Sequence, residues 1–149
     1  MPELPDIELY LHALRPRVVG RVLSSISIKS PFVLRTFDPS TDAVEGKVVQ
    51  SVERIGKRFV FDFGNELFVI VHLMIAGRFR WSDKPDAKLP GKIGLASFRF
   101  EHGVLHLVES AKQKRASIHI VRGQDLDEHK RDGVDVRSIS AKQLHALLV

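Results

Sequence analysis

The 149-residue chain contains no cysteine, which excludes disulfide bonds and thiolate metal ligation within it. Long apolar runs are also missing. The longest, Leu67 to Leu73, is interrupted by His72 and falls far short of the ~20 residues that a membrane-spanning helix needs. No basic-then-apolar leader opens the chain, since Met1-Pro2-Glu3 begins with an acid, so a soluble, intracellular (cytoplasmic) protein is expected, with no membrane partner. No glycine-rich phosphate loop is present, which leaves nucleotide hydrolysis without support. Among the seven histidines, His102, His106 and His119 fall on separate predicted strands or turns, without the paired spacing of zinc ligands. No metal site is expected in this chain. Aromatic residues are few; Trp81 and Tyr10 read as packing residues.

What is present suits one compact domain. The mass is 16.8 kDa and the hydrophobic content 44%, enough for a sizeable core. Lys and Arg outnumber Asp and Glu by 23 to 18, for a net charge of +5. Such a surface favours polyanions, either nucleic acid or an anionic membrane. Alone, that signal is shared by many unrelated proteins.

Residues 5–18 read as a helix. Pro5 suits the first turn, Asp6 and Glu8 suit the positive end, and Ile7, Leu11, Leu14 and Val18 recur at helical spacing. Gly20 follows as a stop, and Pro16 argues for an end or kink nearby. Thereafter the period changes to two. Ile26 and Ile28 alternate with polar residues, Phe59, Phe61 and Phe63 share a face, and Gly64-Asn65 makes a turn. Glu66 to Leu73, Arg78 to Trp81 and Ser117 to Val121 read as strands. Leu95 to Glu101 and Val104 to Glu109 read as a hairpin around His102-Gly103. The expected class is α+β, mostly β: a β-sandwich or flattened barrel of about eight strands with an N-terminal helix.

Near the end, Ser140 and Gln143 resemble a capping box, and Leu144, Leu147 and Leu148 begin an apolar face. A short C-terminal helix is expected there, and so is further chain for it to pack against. Asp125, Asp127, Glu128 and Asp132 read as a solvated acidic loop.

Four segments carry chemistry. In Met1-Pro2-Glu3-Leu4-Pro5-Asp6-Ile7-Glu8, the small Pro2 permits removal of the initiator Met, which leaves a secondary amine. With an α-amino pKa near 8, roughly a tenth is neutral and nucleophilic at pH 7. Such an amine can attack a sugar C1′, and the adjacent Glu3 can supply protons. The bland alternative is a simple helix start. Arg54-Ile55-Gly56-Lys57-Arg58 places a long cation after a glycine, where it can approach a phosphate closely, or merely a solvated charge run. His72-Leu73-Met74-Ile75-Ala76-Gly77 reads either as a wedge-bearing turn or as a core strand entering a glycine turn. Glu109 to Ser117 holds Lys112, Lys114 and Arg115 but no aromatic residue.

Taken in order, these segments resemble the formamidopyrimidine-DNA glycosylase/endonuclease VIII family, over essentially all 149 residues but only the family's first domain. The N-terminal octet is the most specific match. The resemblance implies a domain spanning 1–149, without the helix-two-turns-helix and zinc-finger parts that would follow. It implies a bifunctional glycosylase/AP lyase of base-excision repair that removes oxidised bases from damaged double-stranded DNA, as a nucleoid-associated monomer. Pro2 and Glu3 would be catalytic, with Pro2 forming a Schiff base. Lys57, His72 and Arg115 would hold phosphate, and Met74 or Ile75 would fill the space of a flipped base. The chain itself would need no cofactor, and zinc is expected only in the missing C-terminal part.

Two departures stand out. The family's His-Leu-Gly-Met-Ser-Gly aligns its glycine with Met74 and its methionine with Ile75. Its Asp-Pro-Arg-Arg-Phe-Gly loop has no aromatic counterpart in 109–117. Both motivate an alternative, a non-catalytic damaged-DNA-binding relative; a β-sandwich interaction module is a third reading. Lys112 and Lys114 are expected to retain phosphate attraction. With few phosphate contacts, the piece alone is expected to be weakly active or inactive.

Overall fold

A computed structural model describes residues 2–36 and 38–123. Helix α1 spans Leu4–Val18 and buries Ile7, Leu11, Leu14 and Val18, the stripe that the sequence periodicity marks. Its start is held by Asp6, whose carboxylate accepts the Glu3 backbone N–H at 2.8 Å. Pro16 sits in the last turn without ending it, and the helix closes at Val18.

Eight strands follow: β1 (Leu23–Ile28), β2 (Ser51–Ile55), β3 (Arg58–Asp62), β4 (Leu67–His72), β5 (Gly77–Ser82), β6 (Gly94–Phe100), β7 (Gly103–Glu109) and β8 (Ser117–Arg122). They form two four-stranded sheets, β1-β6-β7-β5 and β2-β3-β4-β8, antiparallel throughout. The expected mostly β sandwich with a leading helix is the observed one. The expected C-terminal helix and the acidic loop at 125–132 lie outside the described residues.

The core lies between the sheets, where Phe59, Phe61 and Phe63 share the inner face with Val69 and Val71. Phe61 stacks on Phe98 of the other sheet, with ring centroids 6.2 Å apart, and Phe59 meets Phe79 edge-on at 5.0 Å. Tyr10 of α1 contacts both Phe59 at 5.8 Å and Phe79 at 5.6 Å, so one ring joins the helix to both sheets. A smaller cluster of Ile55, Val60, Phe68, Ile70 and Val121 includes alternate residues of β3 and β4, which face away from the main core.

Strand β2, not anticipated from the sequence, is an edge strand covered by α1. Arg15 donates to the Val52 carbonyl at 3.0 Å and pairs with Glu53 at 2.6 Å, while Glu8 pairs with Arg54 at 2.6 Å. The charges that make β2 look like a loop are its bonds to the helix, and they protect its edge. The β6–β7 turn falls at Glu101-His102, one residue earlier than expected. His102 Nε2 lies 2.6 Å from the Arg17 carbonyl, so that nitrogen carries a proton and anchors the helix C-terminus. Trp81 packs against Phe100 and His102.

Candidate nucleic-acid interface

Strand register gathers the candidate residues at one end of the sandwich. Arg58 opens β3 opposite His72, which closes β4, and His72 in turn faces Ser117 at the start of β8. In the other sheet, Gly77 opens β5 opposite Glu109, which closes β7. The β2–β3 turn, the 73–76 turn and the 110–116 loop therefore crowd the same end. The chain's N-terminus arrives there too, because Lys57 Nζ lies 3.5 Å from Glu3 Oε2.

Local backbone demands explain two of these turns. Gly56 has φ +60° in a two-residue hairpin, a left-handed position at which glycine carries no Cβ cost and Lys57 follows at the tip. Gly77 donates its N–H to the Leu73 carbonyl at 2.9 Å. A Cβ there would sit 2.3 Å from that same oxygen, so no other residue closes this turn. Met74 takes φ +59° inside it.

Pro2 is buried, and it lies between open space and the edge of the core. On one side a cleft of about 340 Å³ is lined by Pro2, Asp6, Leu9, Tyr10 and Arg78. On the other, a small crevice joins Pro2 to Ile7, Lys57, His72, Leu73 and Met74. Pro2, Glu3, Lys57, His72 and Met74 thus form one constellation. Ile75 stands apart from it, 55% exposed, whereas Met74 is half-buried against the proline. Of the two apolar residues, Ile75 is the one that projects.

His72 is pushed down from 6.5 to about 4, first by burial and then by the charges of Arg58 and Lys57. It is therefore neutral near pH 7 and offers a single N–H donor.

The 110–116 loop is built inward around Glu109, which is 1% exposed. Its Oε2 accepts the backbone N–H groups of Arg115 at 2.7 Å and Ala116 at 3.1 Å. Lys114 turns its ammonium onto the carbonyls of Glu109 and Ala111. Two of its three ammonium protons are thus engaged by carbonyls of the loop itself. Lys112 and Arg115 remain exposed, and Arg115 donates to the Gln113 side chain at 3.2 Å. Sequence reasoning missed the cleft residues Asp6, Leu9 and Arg78 and the clamp role of Glu109. A lone acid closing an apolar strand before a basic loop was the only signal for the last.

Comparison with known proteins agrees with the geometry. A family model described as the formamidopyrimidine-DNA glycosylase N-terminal domain matches residues 1–117. The chain belongs to this family. Curated relatives named formamidopyrimidine-DNA glycosylase include one from Laribacter hongkongensis, 34% identical over 116 residues, or 77% of this chain and 41% of the relative. Another, from Symbiobacterium thermophilum, is 35% identical over 118 residues, or 78% of this chain and 35% of the relative. The crystal structure of the Lactococcus lactis Fpg with DNA containing an abasic site superposes with TM-score 0.78 at 25% identity, covering 88% of this chain and 48% of that one. The chain spans less than half the length of these glycosylases. Among the described residues no helix is long and apolar enough to cross a membrane. Nor do three His, Asp or Glu side chains converge as metal ligands there.

Proposed function

We propose that this chain supplies the nucleophile-bearing half of a bifunctional DNA glycosylase/AP lyase that removes oxidised bases from duplex DNA. The observation that carries this reading is the meeting of Pro2 with Glu3, Lys57 and His72 at one end of the sandwich. Once Met1 is removed, the Pro2 nitrogen is a secondary amine beside a carboxyl group and a phosphate-seeking cation. Glu3 protonates the deoxyribose ring oxygen, the amine attacks C1′, and the base departs. The resulting iminium acidifies the neighbouring C2′ hydrogen, so elimination of the 3′ phosphate nicks the strand. Lys57, neutral His72 and Arg115 bind backbone phosphates, and the cleft beside Pro2 has room for an extruded base. Ile75, with Met74 behind it, fills the gap that the base leaves. With no cysteine the chain cannot build a thiolate zinc site. If the whole protein holds zinc, it does so in residues beyond this domain. A monomeric, nucleoid-associated protein follows from such a role.

Two substitutions favour a second reading, a damage-binding relative without catalysis. Ile75 stands where the family has methionine, and no aromatic residue lies in 110–116. Borohydride trapping on abasic-site DNA, with the full-length protein, separates the two. A covalent adduct that requires Met1 removal and weakens in Pro2→Ala supports the enzyme, although the new N-terminal Ala is itself an amine. Salt-sensitive binding with no adduct from the processed protein refutes it in favour of the binder.

A further inference from the structure

The exit from β1 adds a feature that the site above does not use. Residues 29–37 contain no acid and two cations, Lys29 and Arg35. The chain turns at Ser30–Val33, closed by the Val33 N–H on the Ser30 carbonyl at 3.1 Å. It then runs parallel to β8, with Leu34 bridged to Ile118. Ile118 donates to the Val33 carbonyl at 2.7 Å and accepts from the Arg35 N–H at 2.9 Å. That register sets Phe32 level with the start of β8, beside the end of the 110–116 loop. Val33 is buried at 2%, yet Phe32 is 82% exposed, the most exposed of the large hydrophobic residues described. Arg35 Nε donates to the Phe32 carbonyl at 2.5 Å, which stiffens the turn from its far side.

A single exposed ring is ordinary on a protein surface; its setting gives this one meaning. It stands on a hydrogen-bonded turn, flanked by exposed Lys29 and Arg35, with exposed Lys112 and Arg115 on the neighbouring loop. A phenyl face among cations fits a stacked nucleobase whose phosphates meet the charges. It fits an apolar protein surface less well, because the cations would then lose water without partners. We propose that Phe32 is a base-stacking residue that receives a nucleobase unstacked at the lesion, supplying the aromatic contact absent from 110–116. The inference rests on the reading of this end as the DNA-binding face.

The test uses the full chain with Met1 removed and a fluorescein-labelled duplex carrying one abasic-site analogue. Phe32→Ala is expected to weaken binding by about tenfold, with the slope of affinity against salt unchanged, since no cation is lost. Its melting temperature should match wild type because the ring is exposed. Phe32→Trp should retain affinity and show indole quenching on DNA, against the background of the one native Trp, Trp81. Equal affinity of Phe32→Ala and wild type overturns the proposal and leaves the glycosylase reading standing. So does unchanged Phe32→Trp emission at saturating DNA, or an effect confined to self-association in sedimentation. Failure of the wild-type chain to bind DNA even at low salt, where few phosphate contacts suffice, overturns both.

Discussion

Lys57 Nζ lies 3.5 Å from Glu3 Oε2, which ties the tip of the β2–β3 hairpin to the residue after the proposed nucleophile. Glu3 is largely exposed and the pair is long, so its Coulomb energy contributes little to stability. Its value is positional: it holds the cation beside the acid, where the proposed function has it meet a phosphate. Lys57→Ala should therefore weaken DNA binding while leaving the melting temperature near wild type, and should lower the salt slope by about one. Lys57→Arg should keep that slope. A Lys57→Ala protein with wild-type salt dependence would remove the residue from the interface.

His72 offers a pH test. Its folded value near 4 lies below the 6.5 of the unfolded chain, with burial as the leading cause. Between those values the unfolded state binds more protons, so stability rises with pH across that window and levels off above 6.5. Urea midpoints should fall from pH 7 to pH 5, and His72→Gln should flatten that dependence. Imidazole nitrogen shifts should report a neutral ring at pH 5.5 in the free protein, and a value raised toward normal when phosphate arrives. Ordinary titration near 6.5 in the free chain would show that the ring is not desolvated as described.

Glu109 is expected to behave as a structural acid. Glu109→Ala orphans the N–H groups of Arg115 and Ala116, at a cost of ~1–3 kcal/mol per buried unpaired group. Trypsin should then cut at Lys112, Lys114 or Arg115 well before the sandwich unfolds. Lys114→Met should loosen the same loop without altering the salt slope of DNA binding, since its charge faces carbonyls. A fall in that slope would place Lys114 on phosphate after all.

Ile75 is the projecting residue of the β4–β5 turn, and its truncation should report on base opening. In Ile75→Ala, a 2-aminopurine placed opposite the lesion should brighten less on binding, with little change in protein stability at this exposed position. Met74→Ala should instead disturb packing against Pro2 and reduce adduct formation. If both variants lower 2-aminopurine brightening equally, the division of labour between the two residues is wrong.

Much of this molecule is legible from residue order alone, for identifiable reasons. Helix α1 announces itself because Ile7, Leu11, Leu14 and Val18 share one stripe, and Phe59, Phe61 and Phe63 mark one face of a strand by alternation. Strand β2 stays hidden because Glu53 and Arg54 read as solvated, while their partners Arg15 and Glu8 lie on a distant segment. Sheet order is hidden for the same reason, since β1 pairs with β6, with four other strands between them in the chain. At the site, Lys57 and His72 are visible because a cation after a glycine and a histidine closing an apolar strand are local patterns. The inward turn of Lys114 depends on which carbonyls converge, and no linear pattern records that.

Tyr10 touches rings of both sheets and also walls the cleft beside Pro2. The interior and the chain's N-terminal segment are therefore one mechanical part. A change in ring size at Phe79 would be felt twice over, in the packing between the sheets and, through Tyr10, at the wall of that cleft.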